Sequence, residues 1–225
     1  MTPPAYLAVF DCDGTLVDSQ HTIVTCMQNA FADSGLQPVE ADAIRHMVGL
    51  SLLDGIARLA PGESTERHLE IAERYRTAFQ AARNRPDHDE PLYPGARECL
   101  EVIENQNIVM AVATGKGRRG LETTLSRHSI RDRFSVLKTA DDGPGKPNPA
   151  ILLDAIAESG ASPETTVMIG DTVFDMELAK NANVSAIGVS WGYHPPGELK
   201  RYGADMIVRN YHEVPAALKE IWRSN

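Results

Sequence analysis

The sequence predicts an α/β protein: a Rossmann-like parallel-sheet core interrupted by a small inserted α-helical cap. Three observations predict it. Six short apolar runs, most closed by a turn signal and followed by a helical pattern, alternate along the chain as the βα units of a parallel sheet do. Residues 18–85 break that rhythm and carry helical periodicity alone. The chain has 225 residues, enough for a core domain that carries a smaller insert.

The first strand is "YLAVF" (6–10), which runs into "DCDGT". Ile23, Met27, Ala30, Phe31 and Ser34 then recur on one face of a helix. Two shorter helices follow, around 40–47 and 52–60, separated by "VGLS". Leu69, Ala72, Tyr75, Phe79 and Ala82 mark the inner face of a longer one. "NRPDHDEPLYPG" (84–95), rich in proline and acid, reads as the return linker. The expected division is a discontinuous core, 1–17 and 88–225, around a cap of 18–87. The remaining strands are "IVMAVA" (108–113), "SVLK" (135–138), "TVMIG" (166–170), "SAIGVS" (185–190) and a weaker "MIV" (206–208).

Composition bounds the function. Hydrophobic residues make up 42% and charged residues 24%, as in an ordinary globular protein. A net charge of −9 argues against a nucleic-acid surface, but a local site can still hold a small anion. Three widely spaced cysteines, Cys12, Cys26 and Cys99, suggest reduced thiols. The apolar run near the start has no basic residues before it and is too short for a signal sequence or a membrane span. The expectation is a cytoplasmic protein with no nucleic-acid or membrane partner.

In an open parallel sheet, ligands bind beyond the carboxyl ends of the strands. The residues to inspect are therefore Asp11-Cys12-Asp13-Gly14-Thr15, Thr114-Gly115-Lys116, Gly170-Asp171-Thr172 and the "GKPNP" loop holding Lys146. A cysteine phosphatase needs an arginine six residues after its cysteine. Asp18, Ala32 and Asn105 stand there instead. Two flanking aspartates also suppress the Cys12 thiolate. An EF-hand reading of "DCDGTLVDSQHT" fails, because its glycine position is Leu16 and its closing glutamate position is Thr22. "GKGRRG" (115–120) matches a dinucleotide-loop pattern, but it does not follow the first strand of its series. Paired carboxylates carry more weight. Asp11 and Asp13, joined by Asp171 and Asp175 from another strand, make a four-acid cluster if the strands are neighbours. Such a cluster calls for a cation, and hard oxygen ligands select Mg²⁺. Lys146, fixed by surrounding glycines and prolines, is placed to offset the repulsion between acids and a phosphate.

The four motifs "DCDGT", "ATG", "GKPNP" and "GDTVFD", in that order, resemble the haloacid dehalogenase superfamily of phosphatases over nearly the whole chain. "GVSWGYHPPGEL" is similar to the phosphoglycolate phosphatase-like branch. The resemblance implies that Asp11 is the nucleophile forming an aspartyl-phosphate, and Asp13 the general acid and then base. It implies that Thr114, with Gly115, and Lys146 hold the phosphoryl oxygens. Asp11, the backbone carbonyl of Asp13, and Asp171 would ligate Mg²⁺, with Asp175 anchoring it directly or through water.

Single residues separate the near relatives. Dehalogenases of the superfamily lack the second aspartate, present here as Asp13. P-type ATPases carry lysine and threonine where Cys12 and Asp13 stand. The phosphonate-cleaving branch uses a cap lysine, and residues 18–85 hold none. Mutases of the β-phosphoglucomutase type share all four motifs and remain an alternative, as does an inorganic pyrophosphatase. The cap loop "HMVGLSL" (46–52), with Arg45, Gly49 and Ser51, is the candidate for substrate selection. Arg45 either grips a substrate carboxylate or faces solvent. The expected partner is a small phosphorylated metabolite, phosphoglycolate first.

Overall fold

Alternate residues of one strand face opposite sides of a sheet, so a fully buried strand needs apolar residues at every position. β1 (Ala5–Phe10) meets that demand: Leu7, Ala8, Val9 and Phe10 are all fully buried. In the computed structural model, which describes residues 5–85 and 88–224, β1 lies at the centre of a six-stranded parallel sheet. Its other strands are β2 (Val109–Ala113), β3 (Val136–Lys138), β4 (Ala161–Gly170), β5 (Ser185–Val189) and β6 (Met206–Val208). The order is β3-β2-β1-β4-β5-β6. Val9 stands level with Ala111 on one side and Met168 on the other. Each predicted strand is found. β4 starts earlier than expected, through a register shift where Ala161 pairs with Ala5.

Helices cover both faces of the sheet. Ala8, Phe10, Val112 and Ile169 pack beneath α5 (Ala96–Asn105), α6 (Arg118–Arg127) and α10 (Val214–Ser224). Leu7, Val9, Ala111 and Met168 pack beneath α7 (Ala150–Ser159) and α8 (Val173–Asn181). α9 (Pro196–Tyr202) joins β5 to β6. Among the described residues, no helix is long and apolar enough to cross a membrane.

Between β1 and α5 come four helices: α1 (Gln20–Asp33), α2 (Ala41–Arg45), α3 (Leu52–Leu59) and α4 (Thr65–Arg83). Their apolar faces make a separate cluster that includes Ile23, Phe31, Ile44, Ile56 and Ile71. Ser51 and Ser64 cap α3 and α4 by accepting hydrogen bonds from the Asp54 and Arg67 backbone N–H groups. One predicted inward residue is outward: Leu69 is 49% exposed, and Ile71 is fully buried. Two places along a helix is about 200° around it, so both cannot face α1. The chain returns where Leu92 bridges Val17. The expected cap boundary at residue 87 lies outside the described residues.

Candidate active site

The strand order reverses between β1 and β4, and such a switch point opens a crevice at the carboxyl ends of the strands. The Asp11 N–H donates to the Ile169 carbonyl at 2.9 Å, which carries the pairing one residue past β1. Asp11 then lies beside Asp171, the first residue after β4, and Asp175, in the first turn of α8. All three side chains are buried, and one carboxylate oxygen from each lies within 4.8 Å of the others.

Every member of this group is held. Lys146, itself buried, places Nζ 2.6 Å from Asp175 Oδ1 and 2.9 Å from Asp11 Oδ1. Asp171 Oδ1 accepts from the Thr15 hydroxyl at 2.8 Å, and Oδ2 from the Tyr193 N–H at 2.8 Å. Asp175 Oδ2 accepts from the Thr172 N–H and hydroxyl, at 3.0 and 2.7 Å, as half of a capping box that starts α8.

The expected four-acid cluster is a cluster of three. The Asp13 carboxylate turns away, because the chain leaves its extended path after Asp11 and Asp13 bridges to Val17. Its oxygens meet Lys116 instead, whose Nζ donates to both at 2.7 Å, and Oδ1 also accepts from the Ser19 hydroxyl at 2.7 Å.

Burial and charge set opposite states for the two aspartates. Burial pushes the Asp11 carboxyl up to about 6, with the Lys146 charge opposing and the Asp175 charge adding. Burial, with the Asp175 and Asp11 charges, drives Asp171 well above the usual carboxylate range. Burial also acts upward on Asp13, but the Lys116 charge and the hydrogen bonds from Lys116 and Ser19 outweigh it and hold that carboxyl low. Burial and the Asp13 charge raise the Cys12 thiol well above its ordinary range, as an inert packed side chain requires. Three buried carboxylates facing one ammonium leave negative charge uncompensated in a dry site. Their hard oxygen donors suit Mg²⁺, so Asp11, Asp171 and Asp175 fit the ion that the motifs imply.

Thr114 and Gly115 follow β2, next to β1. Thr114 is buried, and its hydroxyl accepts from the Lys116 N–H at 3.3 Å. The cap loop comes down on this turn. A Cβ on Gly115 would run into the carbonyl oxygens of Leu50 and Gly49, and one on Gly49, at φ 100°, would meet the Thr172 hydroxyl. Ser51 sits against Gly145, with its hydroxyl engaged by Asp54 at 2.6 Å. Gly49 and Ser51 are thus brought onto three core loops. The Arg45 guanidinium pairs with Asp42 on its own helix at 2.5 Å. In "GKGRRG", the Asp141 carboxylate accepts from the Arg118 N–H at 2.7 Å, so an acid of this chain occupies the helix start where a dinucleotide would need its phosphates.

Sequence reasoning did not assign Lys116, Thr15, Ser19 or Tyr193. Lys116 had a usable signal, since it stands two residues after Thr114 in a strand-end turn. Tyr193 had none, because its link to Asp171 is a backbone N–H.

A family model described as "Haloacid dehalogenase-like hydrolase" matches residues 8–189. A protein of Dickeya dadantii named "Probable phosphatase IndB" is 33% identical over 213 residues, covering 94% of this chain and 92% of its own. A phosphoglycolate phosphatase of Agrobacterium fabrum is 31% identical over 225 residues, covering 97% and 94%. A hydrolase from Pseudomonas syringae of known structure superposes with a TM-score of 0.84 at 26% identity, covering 96% of this chain and 99% of that one. With its acid-lined turns gathered at one end of a parallel sheet, the chain belongs to the haloacid dehalogenase-like hydrolases and is an enzyme of that family.

Proposed function

We propose that the protein is a Mg²⁺-dependent phosphatase that hydrolyses a small phosphomonoester, phosphoglycolate or a close analogue, through an aspartyl-phosphate on Asp11. The observation that carries this reading is the buried Asp11 carboxylate, set among Asp171, Asp175 and Lys146 at the switch point of the sheet. Asp11 attacks phosphorus, and an Asp–O–P bond forms as the bond to the leaving oxygen breaks. Asp13, a carboxylate in the resting site because Lys116 and Ser19 hold it low, takes up a proton as substrate binds and gives it to that oxygen. Asp13, now a carboxylate, takes a proton from a water that attacks the same phosphorus, and Asp11 is released. Lys146 and Thr114 hold the phosphoryl oxygens against the acids. Mg²⁺ held by Asp11, Asp171, Asp175 and the Asp13 carbonyl would neutralise charge that the carboxylates and phosphoryl group share.

Residues 18–87 act as a cap, whose loop at Gly49–Ser51 closes on the core and limits the site to small molecules. Three free, buried cysteines support a reducing compartment, the cytoplasm.

The test is phosphate release from a panel of phosphomonoesters, pyrophosphate and β-glucose 1-phosphate, with and without Mg²⁺. Mg²⁺-dependent release from 2-phosphoglycolate is expected. Preferred release from pyrophosphate would move the substrate to that compound. Isomerisation of glucose 1-phosphate without release would replace the phosphatase by a mutase. Asp11→Asn is expected to abolish turnover in a folded protein, and near-normal activity in that variant would overturn the mechanism.

A further inference from the structure

The two lysines of the site stand at opposite ends of the reaction. Lys146 is committed to Asp11 and Asp175, on the side of the transferred phosphoryl group. Lys116 is committed to Asp13, on the side of the leaving oxygen. Its side chain is 10% exposed, and its ammonium carries three N–H donors. Two donate to Asp13, and among the described residues the third has no acceptor. Nζ also stands 5.2 Å over the Phe79 ring, which α4 brings down from the cap. The nearby cation Arg83 is already engaged, by Thr124 at 2.6 Å and by Glu90 and the Gly120 carbonyl at 3.3–3.4 Å.

We propose that Lys116 determines specificity, by binding an anionic group carried one atom away from the leaving oxygen. This rests on the phosphatase reading above. An ester oxygen that takes its proton from Asp13 lies two hydrogen-bond lengths, about 5 Å, from Lys116 Nζ. An anion on the neighbouring atom falls within reach of the spare N–H, and a longer spacer carries it past. A neutral alkyl leaving group would leave that buried donor unmet against the Phe79 ring, which is costly. The same chemistry comes from a carboxylate, as in 2-phosphoglycolate, or from a second phosphate, as in pyrophosphate. Lys116 is then a reader of the leaving group, and its hold on Asp13 keeps the two events in one place.

The test compares kcat/KM for 2-phosphoglycolate, pyrophosphate and ethyl phosphate in the wild-type protein, Lys116→Met and Lys116→Arg, all with Mg²⁺. The wild type is expected to favour at least one anionic substrate over ethyl phosphate by about 10- to 100-fold or more. Lys116→Met lowers all rates, since Asp13 loses its partner, but it collapses that preference by a similar factor, and Lys116→Arg retains part of it. Which substrate loses its advantage identifies the anion as carboxylate or phosphate. Titration calorimetry on Asp11→Asn and on Asp11→Asn with Lys116→Met reads the same preference in binding alone. A wild type indifferent to the anion overturns the proposal even if Lys116→Met fails to fold. So does a preference that survives in a folded Lys116→Met. A wild type that releases phosphate from none of the three, nor from any ester of the wider panel, overturns the phosphatase reading itself.

Discussion

Asp11 titrates near 6 in the folded protein against an ordinary value of 3.8, because burial penalises its charge more than Lys146 repays. The raised value has a definite sign in stability. Between about pH 4 and 6 the folded state binds this proton more tightly than the unfolded chain, so metal-free stability falls as pH rises through that window. Asp171, raised further, extends the fall upward. Asp11→Asn removes the Asp11 part. With EDTA present, the variant is expected to melt above wild type at pH 7.5, by on the order of 3 kcal/mol in unfolding free energy, with the gap closing near pH 4. A variant that melts no higher at pH 7.5 would mean that the Lys146 ion pair outweighs the burial cost. At this scale the site was legible where a residue follows a strand directly. Asp11 and Asp171 were found that way, because sheet geometry alone carries them to the crevice, whereas Lys146, eight residues past β3, was marked by the glycines and prolines around it. The direction of the Asp13 side chain was not legible, since it depends on a turn and on Lys116 more than a hundred positions away. The partner of Arg45 was close in sequence instead: Asp42 is three residues off, and a helix turn brings the two together.

The cap loop and the turn after β2 meet backbone to backbone, at Gly115 against Leu50 and Gly49. A methyl group there has no flexible neighbour to displace. Gly115→Ala is expected to lift the loop at a cost of about 1–3 kcal/mol. The effect should appear as a higher KM and faster proteolysis within 46–60, with the core still folded. Unchanged KM and proteolysis would mean that the contact is not used in binding. The strands were legible at this scale, because a doubly buried strand must be apolar throughout, and "YLAVF" and "TVMIG" have no other plausible use. Helix faces were less so. α4 carries enough apolar residues to define two stripes, and only packing against α1 selects Ile71 over Leu69.

Across the whole molecule, three acids from two adjacent strands and a helix start converge without a matching cation charge from the protein. Magnesium at 100 times its Kd is expected to add about 2.7 kcal/mol to stability at pH 7.5. The rise in Tm should fade toward pH 4.5, where Asp11 and Asp171 hold protons, and should be lost in Asp171→Asn. An undiminished rise in that variant would move the ion elsewhere. The fold class was readable from alternation of strands and helices, but the order β3-β2-β1-β4-β5-β6 was not, since periodicity marks what is buried and not what lies beside what. That order has a consequence for synthesis. Leu7 pairs with Thr166, so β1 is made long before its second neighbour exists. Until β4 emerges from the ribosome, the strand leading to Asp11 carries an open apolar edge, the kind that invites pairing between nascent chains. The same late strand that protects this edge delivers Asp171. A chain that stops before β4 therefore lacks Asp171 and leaves that edge of β1 without its partner.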